Sequence, residues 1–166
     1  PYTTLFRSLP PNLLVDHFDM IRERVSPLDQ APFPGVRELC EYARSIEGGN
    51  YIVTHRDRAS LDTLLTVHKL AHLFEDVVAG DDGFPRKPDP TGFEALVARN
   101  EIPRDEALMI GDRELDILAA HAAGVPACLY GTNPLTEPVA FAVNDYAELL
   151  EDLRRENNPT LDSSDT

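Results

Sequence analysis

Four polar residues follow three short apolar stretches of the sequence, and their types suit the handling of phosphate. Thr54 comes directly after YIV, and Lys87 lies in RKPDP, which follows DVVAG. Asp112 and Asp116 lie in GDRELD, after ALMI. A hydroxyl and an ammonium can bind phosphate oxygens. Two carboxylates four residues apart repel each other unless a cation compensates them, and Mg²⁺ often uses only one or two carboxylates. These are residues that a phosphate site with a magnesium ion would use.

Each of these residues also has a purely structural interpretation. Thr54 is β-branched and suits the end of a strand, and Lys87 suits a solvated loop. The two aspartates can simply favour the positive end of a helix. Prolines near Lys87 stiffen its loop, which suits a positioned charge better than a mobile one. The combination is more specific than any one of its members.

The segments that must position these residues alternate between strand and helix patterns. Short apolar runs predict strands in NYIVT, DVVAG, EALMIGD, PACLYG and AFAV. Helical spacing of apolar residues predicts helices in Leu13–Val25, PGVRELCEYARSI, SLDTLLTVHKLAHLF, DPTGFEALVARN, RELDILAAHAAG and DYAELLEDLRRE. This order predicts an α/β fold with a parallel sheet and helices on both faces. Since parallel strands joined by right-handed crossovers end at one edge, we expect the polar residues to meet there.

The composition excludes several classes of partner. The net charge is −14 and the isoelectric point is about 4.6, which argues against a nucleic-acid partner. No apolar run approaches the length needed to cross a bilayer, so no membrane partner is expected. The N-terminus lacks the layout of a signal peptide, which favours the cytoplasm. Cys40 and Cys128 are too few and too far apart for a disulfide framework or a thiolate metal site.

Three segments, in order, resemble motifs of a known enzyme family. YIVTHRD, RKPDP and MIGDRELDILAAHAAGV look like motifs two, three and four of the haloacid dehalogenase-like (HAD) hydrolases. They are most similar to the subfamily that contains phosphoglycolate phosphatase and β-phosphoglucomutase. The loop YGTNP after the next strand is also similar to the family's pattern, and the resemblance covers about residues 13–156.

The resemblance implies a Rossmann-like sheet and a Mg²⁺-dependent phosphatase that acts on a small phosphorylated metabolite. Thr54 would bind the transferring phosphoryl group, and Lys87 would hold that group and the nucleophile. Asp112 would ligate Mg²⁺, and Asp116 would support the metal or its waters. This division of roles fits phosphoryl transfer, which depends mostly on positioning and on neutralising spread-out negative charge.

Specificity is less well defined by the resemblance. His55 and Arg56 would reach the leaving group of the substrate, although a partly buried histidine and a surface arginine are the structural alternative. In the capped members of the family much of the specificity comes from a helical cap domain. The sequence therefore does not name the phosphate ester, and it specifies no oligomeric state.

The family's first motif, an Asp-x-Asp pair after the first strand, has no counterpart in the sequence. In the family its first aspartate attacks phosphorus to form an aspartyl-phosphate, and its second is the general acid and base. Asp16 and Asp19 are separated by two residues, and Asp81 and Asp82 are adjacent. We expect the nucleophile to lie in a missing N-terminal part, so that the core lacks its first, central strand and this chain alone is inactive.

The predicted organisation has four parts. Residues 1–8, PYTTLFRS, match the translation of the end of a widely used DNA-sequencing adaptor, and we expect them to be an artefact. Residues 9–33 are expected to be a remnant of the helical cap and its connector. Residues 34–156 should form the HAD-like core, and residues 157–166 should form a disordered polar tail.

Other functions fit parts of the pattern. A HAD-like protein without a nucleophile could bind phosphate or metal in a regulatory role without turnover. A phosphomutase would use the same aspartyl-phosphate chemistry, but hydrolysis is the commoner outcome in this family. A phospho-receiver domain also combines a parallel sheet with acidic, threonine and lysine residues. It should carry its acidic pair early in the chain, an order that GDRELD near residue 112 fits badly.

Overall fold

The structure is a computed structural model, and it divides the chain into two compact units, Pro1–Ala31 and Pro32–Thr166. The residues that it describes are 25–132 and 135–157. Within the described part of the first unit, Pro27–Asp29 forms one 3-10 turn. The helix predicted for Leu13–Val25, except its last residue, lies outside the described residues, as do residues 158–166 of the predicted tail.

In the described part of the second unit, short strands alternate with helices. The strands are β1 (Tyr51–Val53), β2 (Asp76–Val78), β3 (Met109–Gly111), β4 (Ala127–Tyr130) and β5 (Phe141–Val143). The helices are α1 (Val36–Ser45), α2 (Arg58–Val67), α3 (Thr91–Arg99), α4 (Glu114–Ala122) and α5 (Tyr146–Asn157). Each falls on a segment for which the sequence predicts the same type of element, and the strands are shorter than predicted.

Helix α2 shows how local chemistry sets the boundaries. Its N-cap is Asp57, whose Oδ1 accepts a hydrogen bond from Ser60 N–H at 2.8 Å. Lys69 adopts a φ of +55°, which a continuing helix does not allow. The helix therefore ends at Val67, and a separate 3-10 turn, Ala71–Leu73, follows where the sequence predicts one continuous helix.

The strands form two parallel sheets. Strand β1 pairs with β2, with Tyr51 opposite Asp76. Strand β4 lies between β3 and β5, with Met109 opposite Ala127 and Cys128 opposite Phe141. All three pairings are parallel, as strands joined by helical crossovers require. This confirms the predicted α/β fold.

Helices cover both faces of the three-stranded sheet. Because side chains alternate along a strand, Ala127 and Leu129 pack in one core cluster while Cys128 packs in the other. The first cluster draws on α3, β3, α4 and β4, including Val97, Met109, Ile117 and Ala120. The second draws on α1, β4, β5 and α5, including Leu39, Val143, Tyr146 and Leu149. No helix in the described part of the chain is long and apolar enough to cross a membrane.

Helix α1 links parts of the chain that are far apart in sequence. Its Arg37 Nη2 donates to the carbonyls of His68 and Lys69 at 2.9 and 3.0 Å, just beyond the end of α2. The Tyr42 hydroxyl donates to the carbonyl of Leu153 in α5 at 3.3 Å. Val36 packs both against the cluster beside the three-stranded sheet and against the small cluster around the Ala71–Leu73 turn. One helix thus braces both halves of the core.

Strands β1 and β3 each have one edge that no strand in the described residues covers. Thr54 N–H donates to Val78 O, and backbone groups of successive residues point to opposite sides of a strand. The N–H and C=O of Val53 therefore point away from β2. Met109 N–H donates to Pro126 O, so the N–H and C=O of Ile110 point away from β4 for the same reason. These two inner edges are the neighbours that the resemblance assigns to the family's central first strand.

The outer edge of β2 is closed by side chains instead of a strand. Val77 N–H donates to Asp76 Oδ1 at 2.7 Å, and Val77 O accepts from Arg58 Nη2 at 3.0 Å and from Arg99 Nη2 at 2.9 Å. Arg99 also forms an ion pair with Asp76 through its Nε. The hydrogen bond from Arg99, supported by one from Asn100, lowers the pKa of Asp76 to about 2. Such capping prevents an edge strand from pairing with another chain.

Candidate active site

Lys87 joins the end of strand β1 in one sheet to helix α4, which packs beside the other sheet. Its Nζ donates to the carbonyl of Val53, the last residue of β1, at 3.0 Å. The same atom lies 2.5 Å from Oδ1 of Asp116 in α4. Only 9% of the Lys87 side chain is exposed, and its Nζ stands 5.9 Å from the centre of the Phe93 ring. A buried ammonium is tolerated only when it is paired, and here it is paired on both sides.

Asp116 is brought to Lys87 by a close approach between α4 and the end of β3. Its side chain is 5% exposed, and it lies in the first turn of α4. A Cβ atom at Gly111 would stand 2.5 Å from the Cβ of Asp116, so residue 111 must be glycine for this packing. The Gly-Asp sequence of the motif therefore has a steric reason as well as a chemical one.

Asp112 occupies a different environment from Asp116. Helix α4 begins at Glu114, so Asp116 lies in its first turn and Asp112 precedes it. The Asp112 side chain is 50% exposed. Arg113 Nε stands 3.7 Å from Asp112 Oδ1 and 3.5 Å from Asp116 Oδ2. A guanidinium therefore compensates part of the repulsion between the two carboxylates.

The carboxylates suit a magnesium ion better than a transition metal. Asp112 offers exposed hard oxygens at the carboxyl end of β3, beside the buried Asp116. Among the described residues, no group of three or more histidine, cysteine, aspartate or glutamate side chains could hold a metal. Zinc and related metals usually take three or four such ligands, whereas Mg²⁺ keeps several waters and uses one or two carboxylates. The donor set therefore fits Mg²⁺, with Asp112 as the accessible ligand.

Thr54 stands directly after the carbonyl that Lys87 contacts. Its N–H continues the pairing with β2 by donating to Val78 O at 2.9 Å, which fixes its backbone. Its Oγ1 accepts a hydrogen bond from Arg56 N–H at 3.1 Å. A hydroxyl that accepts in this way keeps its own proton for donation. Thr54 can therefore offer that proton to a phosphate oxygen close to the Lys87 ammonium.

His55 and Arg56 make contacts within the protein. His55 Nε2 accepts a hydrogen bond from Lys87 N–H at 2.8 Å, which requires that Nε2 carry no proton. Burial, and after it the charges of Lys87, Arg86 and Arg113, lower the pKa of His55. Arg56 Nη1 donates to Ser60 Oγ at 3.0 Å in α2. The predicted contact of His55 and Arg56 with a leaving group remains a prediction.

Asp81 and Asp82, the adjacent acidic pair, organise the loop after β2. Asp81 Oδ1 accepts from Arg58 N–H at 2.9 Å, at the start of α2. Asp82 Oδ2 pairs with Arg58 Nη2 at 2.5 Å and accepts from Ala79 N–H at 2.9 Å. Both carboxylates are thus engaged in holding the loop against α2.

Sequence reasoning missed three participants of the site. The GDRELD pattern by itself assigns Arg113 no role, although its position between the two aspartates is a usable signal for charge compensation. The hydrogen bond from Lys87 to Val53 O involves a backbone carbonyl, for which residue types carry no signal. The link from His55 to Lys87 likewise ends on a backbone N–H.

The chain is similar in sequence to curated phosphatases. Phosphoglycolate phosphatase of Vibrio cholerae serotype O1 is 36% identical over 97 residues, which are 57% of this chain and 42% of that protein. Phosphoglycolate phosphatase of Rhodospirillum rubrum is 39% identical over 112 residues, or 64% of this chain and 46% of that protein. The chain thus spans about half the length of the curated relatives it matches.

A solved structure and a family profile point the same way. A HAD-superfamily hydrolase of subfamily IA, variant 1, from Geobacter sulfurreducens superposes with a TM-score of 0.63 at 28% identity. The match covers 72% of this chain and 59% of that one. The profile of the family described as haloacid dehalogenase-like hydrolase matches residues 4–130. The chain belongs to the haloacid dehalogenase-like hydrolase family.

Proposed function

We propose that this chain is the C-terminal portion of a Mg²⁺-dependent phosphatase that hydrolyses a small phosphate ester through an aspartyl-phosphate. The observation that carries the proposal is the position of Lys87. Its ammonium joins the end of β1, next to Thr54, to Asp116 after β3. These contacts support a site in which a cation, a hydroxyl and two carboxylates from three strand ends act together, as phosphoryl transfer requires.

The proposed roles follow from the contacts of each residue. The Thr54 hydroxyl donates a hydrogen bond to an oxygen of the transferring phosphoryl group. The Lys87 ammonium, held between Val53 O and Asp116, neutralises the negative charge of that group. Asp112, the more exposed carboxylate, would ligate Mg²⁺, and Asp116 would orient Lys87 and the metal's waters. When bound, Mg²⁺ supplies positive charge that polarises the phosphoryl oxygens.

The attacking aspartate is proposed to lie on a strand that pairs with both β1 and β3. This proposal is supported by the inner edges, which no strand among the described residues covers. A strand there would end beside Thr54, Lys87 and Asp112, because it would run parallel to both neighbours. Asp16 and Asp19 lie outside the described residues. We propose that the full-length protein supplies this strand together with most of the cap.

The substrate is proposed to be a small phosphorylated metabolite of the kind that the relatives' names indicate. Two matching relatives are phosphoglycolate phosphatases, and hydrolysis is proposed in preference to a mutase reaction for that reason. The acidic chain, with its two buried free cysteines, is proposed to act in the cytoplasm on a soluble substrate.

The test is phosphate release by the full-length protein from a panel of small phosphate esters, with and without Mg²⁺. Asp112→Asn should reduce kcat by at least about 100-fold, since the metal's charge acts in the transition state. Asp105→Asn, an exposed substitution of the same type before β3, is the matched control. Binding of Mg²⁺ and phosphate without hydrolysis of any ester would support the non-catalytic alternative and reject the phosphatase.

A further inference from the structure

Lys87 is held at both ends of the residue. The contacts of its ammonium with Val53 O and Asp116 Oδ1 fix the tip of the side chain. The backbone end is fixed by the hydrogen bond from Lys87 N–H to His55 Nε2, at 2.8 Å. Since residues 79–90 form neither a strand nor a helix, the imidazole supplies an anchor that regular secondary structure does not.

The backbone that carries His55 is itself held firmly. Gly80 N–H donates to Arg56 O at 2.8 Å, which ties the turn after β1 to the loop after β2. A Cβ atom at residue 80 would lie 2.2 Å from the carbonyl oxygen of His55, so the two segments touch backbone to backbone. The His55 side chain therefore projects from a fixed point and can hold Lys87 at a defined place.

The charges around His55 favour the neutral ring that this contact needs. Arg86, Lys87 and Arg113 are positive and lie close enough to lower its pKa, whereas Asp116 acts in the opposite direction. Burial is the largest influence and also disfavours the charged ring. Near neutral pH the ring thus carries its proton on Nδ1 and accepts through Nε2.

We propose that His55 is a positioning residue for the phosphoryl-transfer reaction, which it serves by fixing the backbone of Lys87 through Nε2. This inference rests on the proposed phosphatase function. Its consequence is geometric: without the anchor, the Lys87 ammonium loses its defined distance to the phosphoryl group. Displacement of a positioned group by about 1 Å can cost about 100-fold in rate.

The first test compares two substitutions in the full-length protein. In His55→Leu nothing can accept the Lys87 N–H, and kcat should fall about 100-fold with little change in KM. In His55→Gln the Oε1 atom can replace Nε2 as acceptor, and most of kcat should return. His72→Leu, a matched change at an exposed histidine in the Ala71–Leu73 turn, should leave kcat unchanged.

The second test needs no turnover. In ¹⁵N NMR spectra of the wild-type protein, the Lys87 amide shift should follow the titration of His55 as the pH falls. The same amide should not follow any histidine in His55→Gln. An inactive wild-type protein with this coupling would support the contact and reject the phosphatase. Wild-type kcat in His55→Leu, or a Lys87 amide that ignores the His55 titration, would overturn the positioning role.

Discussion

Two edges of the β1–β2 sheet are closed in different ways. On the outer edge, Val77 O accepts from Arg58 and Arg99, whose side chains are 44% and 41% exposed. On the inner edge, Val53 O accepts from Lys87, whose side chain is 9% exposed. Both carbonyls accept hydrogen bonds from cationic side chains. The two arginines at Val77 O remain partly in water, whereas the lysine at Val53 O is buried.

The difference separates a structural closure from the one to which we assign a role in the proposed function. Solvated ion pairs contribute little to stability, so the arginines can cover the outer edge at small cost and can be replaced without great loss. Taking a lysine and an aspartate out of water is expensive, and apolar residues of similar size would often be as stable. A buried pair of this kind is therefore better explained by the placement of charge for chemistry than by stability.

Breaking the inner closure should have the largest effect. Lys87→Met removes the closer of the two cations beside the buried Asp116, and the free energy of unfolding should fall by about 3–5 kcal/mol. Urea denaturation measures this change. Lys69→Met, at the chain's other lysine, changes an exposed side chain and should stay within about 0.5 kcal/mol of the wild type.

A double substitution sharpens this prediction. If the loss of stability comes from the charge of the buried Asp116 carboxylate, the double variant Lys87→Met, Asp116→Leu should be more stable than Lys87→Met alone. Equal or greater destabilisation by the double variant would show that packing, and not the loss of Lys87 beside the buried carboxylate, causes the loss of stability.

Breaking the outer closure should have a smaller effect. Arg58→Ala and Arg99→Ala should each lower the free energy of unfolding by at most about 1 kcal/mol. The double variant should lose at least about 0.5 kcal/mol more than the sum of the two single losses, because Val77 O then loses both side-chain donors. Arg155→Ala removes an exposed pair with Asp152 in α5 and is the control without such a carbonyl. Simple additivity would contradict the shared closure.

The contributions of the two edges to the free energy of unfolding should also be lost at different pH values. We expect these changes to be the smallest of those predicted. The pKa of His55 is lowered in the folded state from 6.5, so the unfolded chain binds its proton first. Stability from this group is complete above 6.5 and is lost as the pH falls through the folded pKa. The pKa of Asp76 falls from 3.8 to about 2, so its contribution is lost only between those values.

Chemical denaturation across the acid range tests both windows. His55→Gln should flatten the pH dependence just below 6.5, and Asp76→Asn should flatten it between about 4 and 2. A single acid transition that neither substitution alters would remove the distinction between the edges.

The fold was predictable, and so was the approach of Lys87 to the end of β1 and to Asp116, because the signals for both are local. Alternating apolar segments predict parallel strands, and the residues after such strands must lie at one edge. The contrast between exposed Asp112 and buried Asp116 was not predictable, because it depends on where α4 begins and on the space at Gly111. Arg58 and Arg99 are far apart in sequence but both donate to Val77 O, and no local sequence pattern predicts such a contact.

Helix α1 has a consequence for the order of events during synthesis. It is made before strands β1 to β5, yet its Tyr42 hydroxyl donates to a carbonyl 111 residues further along the chain. Its apolar residue Leu39 packs in the cluster that β5 and α5 complete. During synthesis on the ribosome, this face of α1 therefore stays exposed until α5 has been made. Long-range closure of this kind slows folding and leaves a nascent surface that a chaperone can hold.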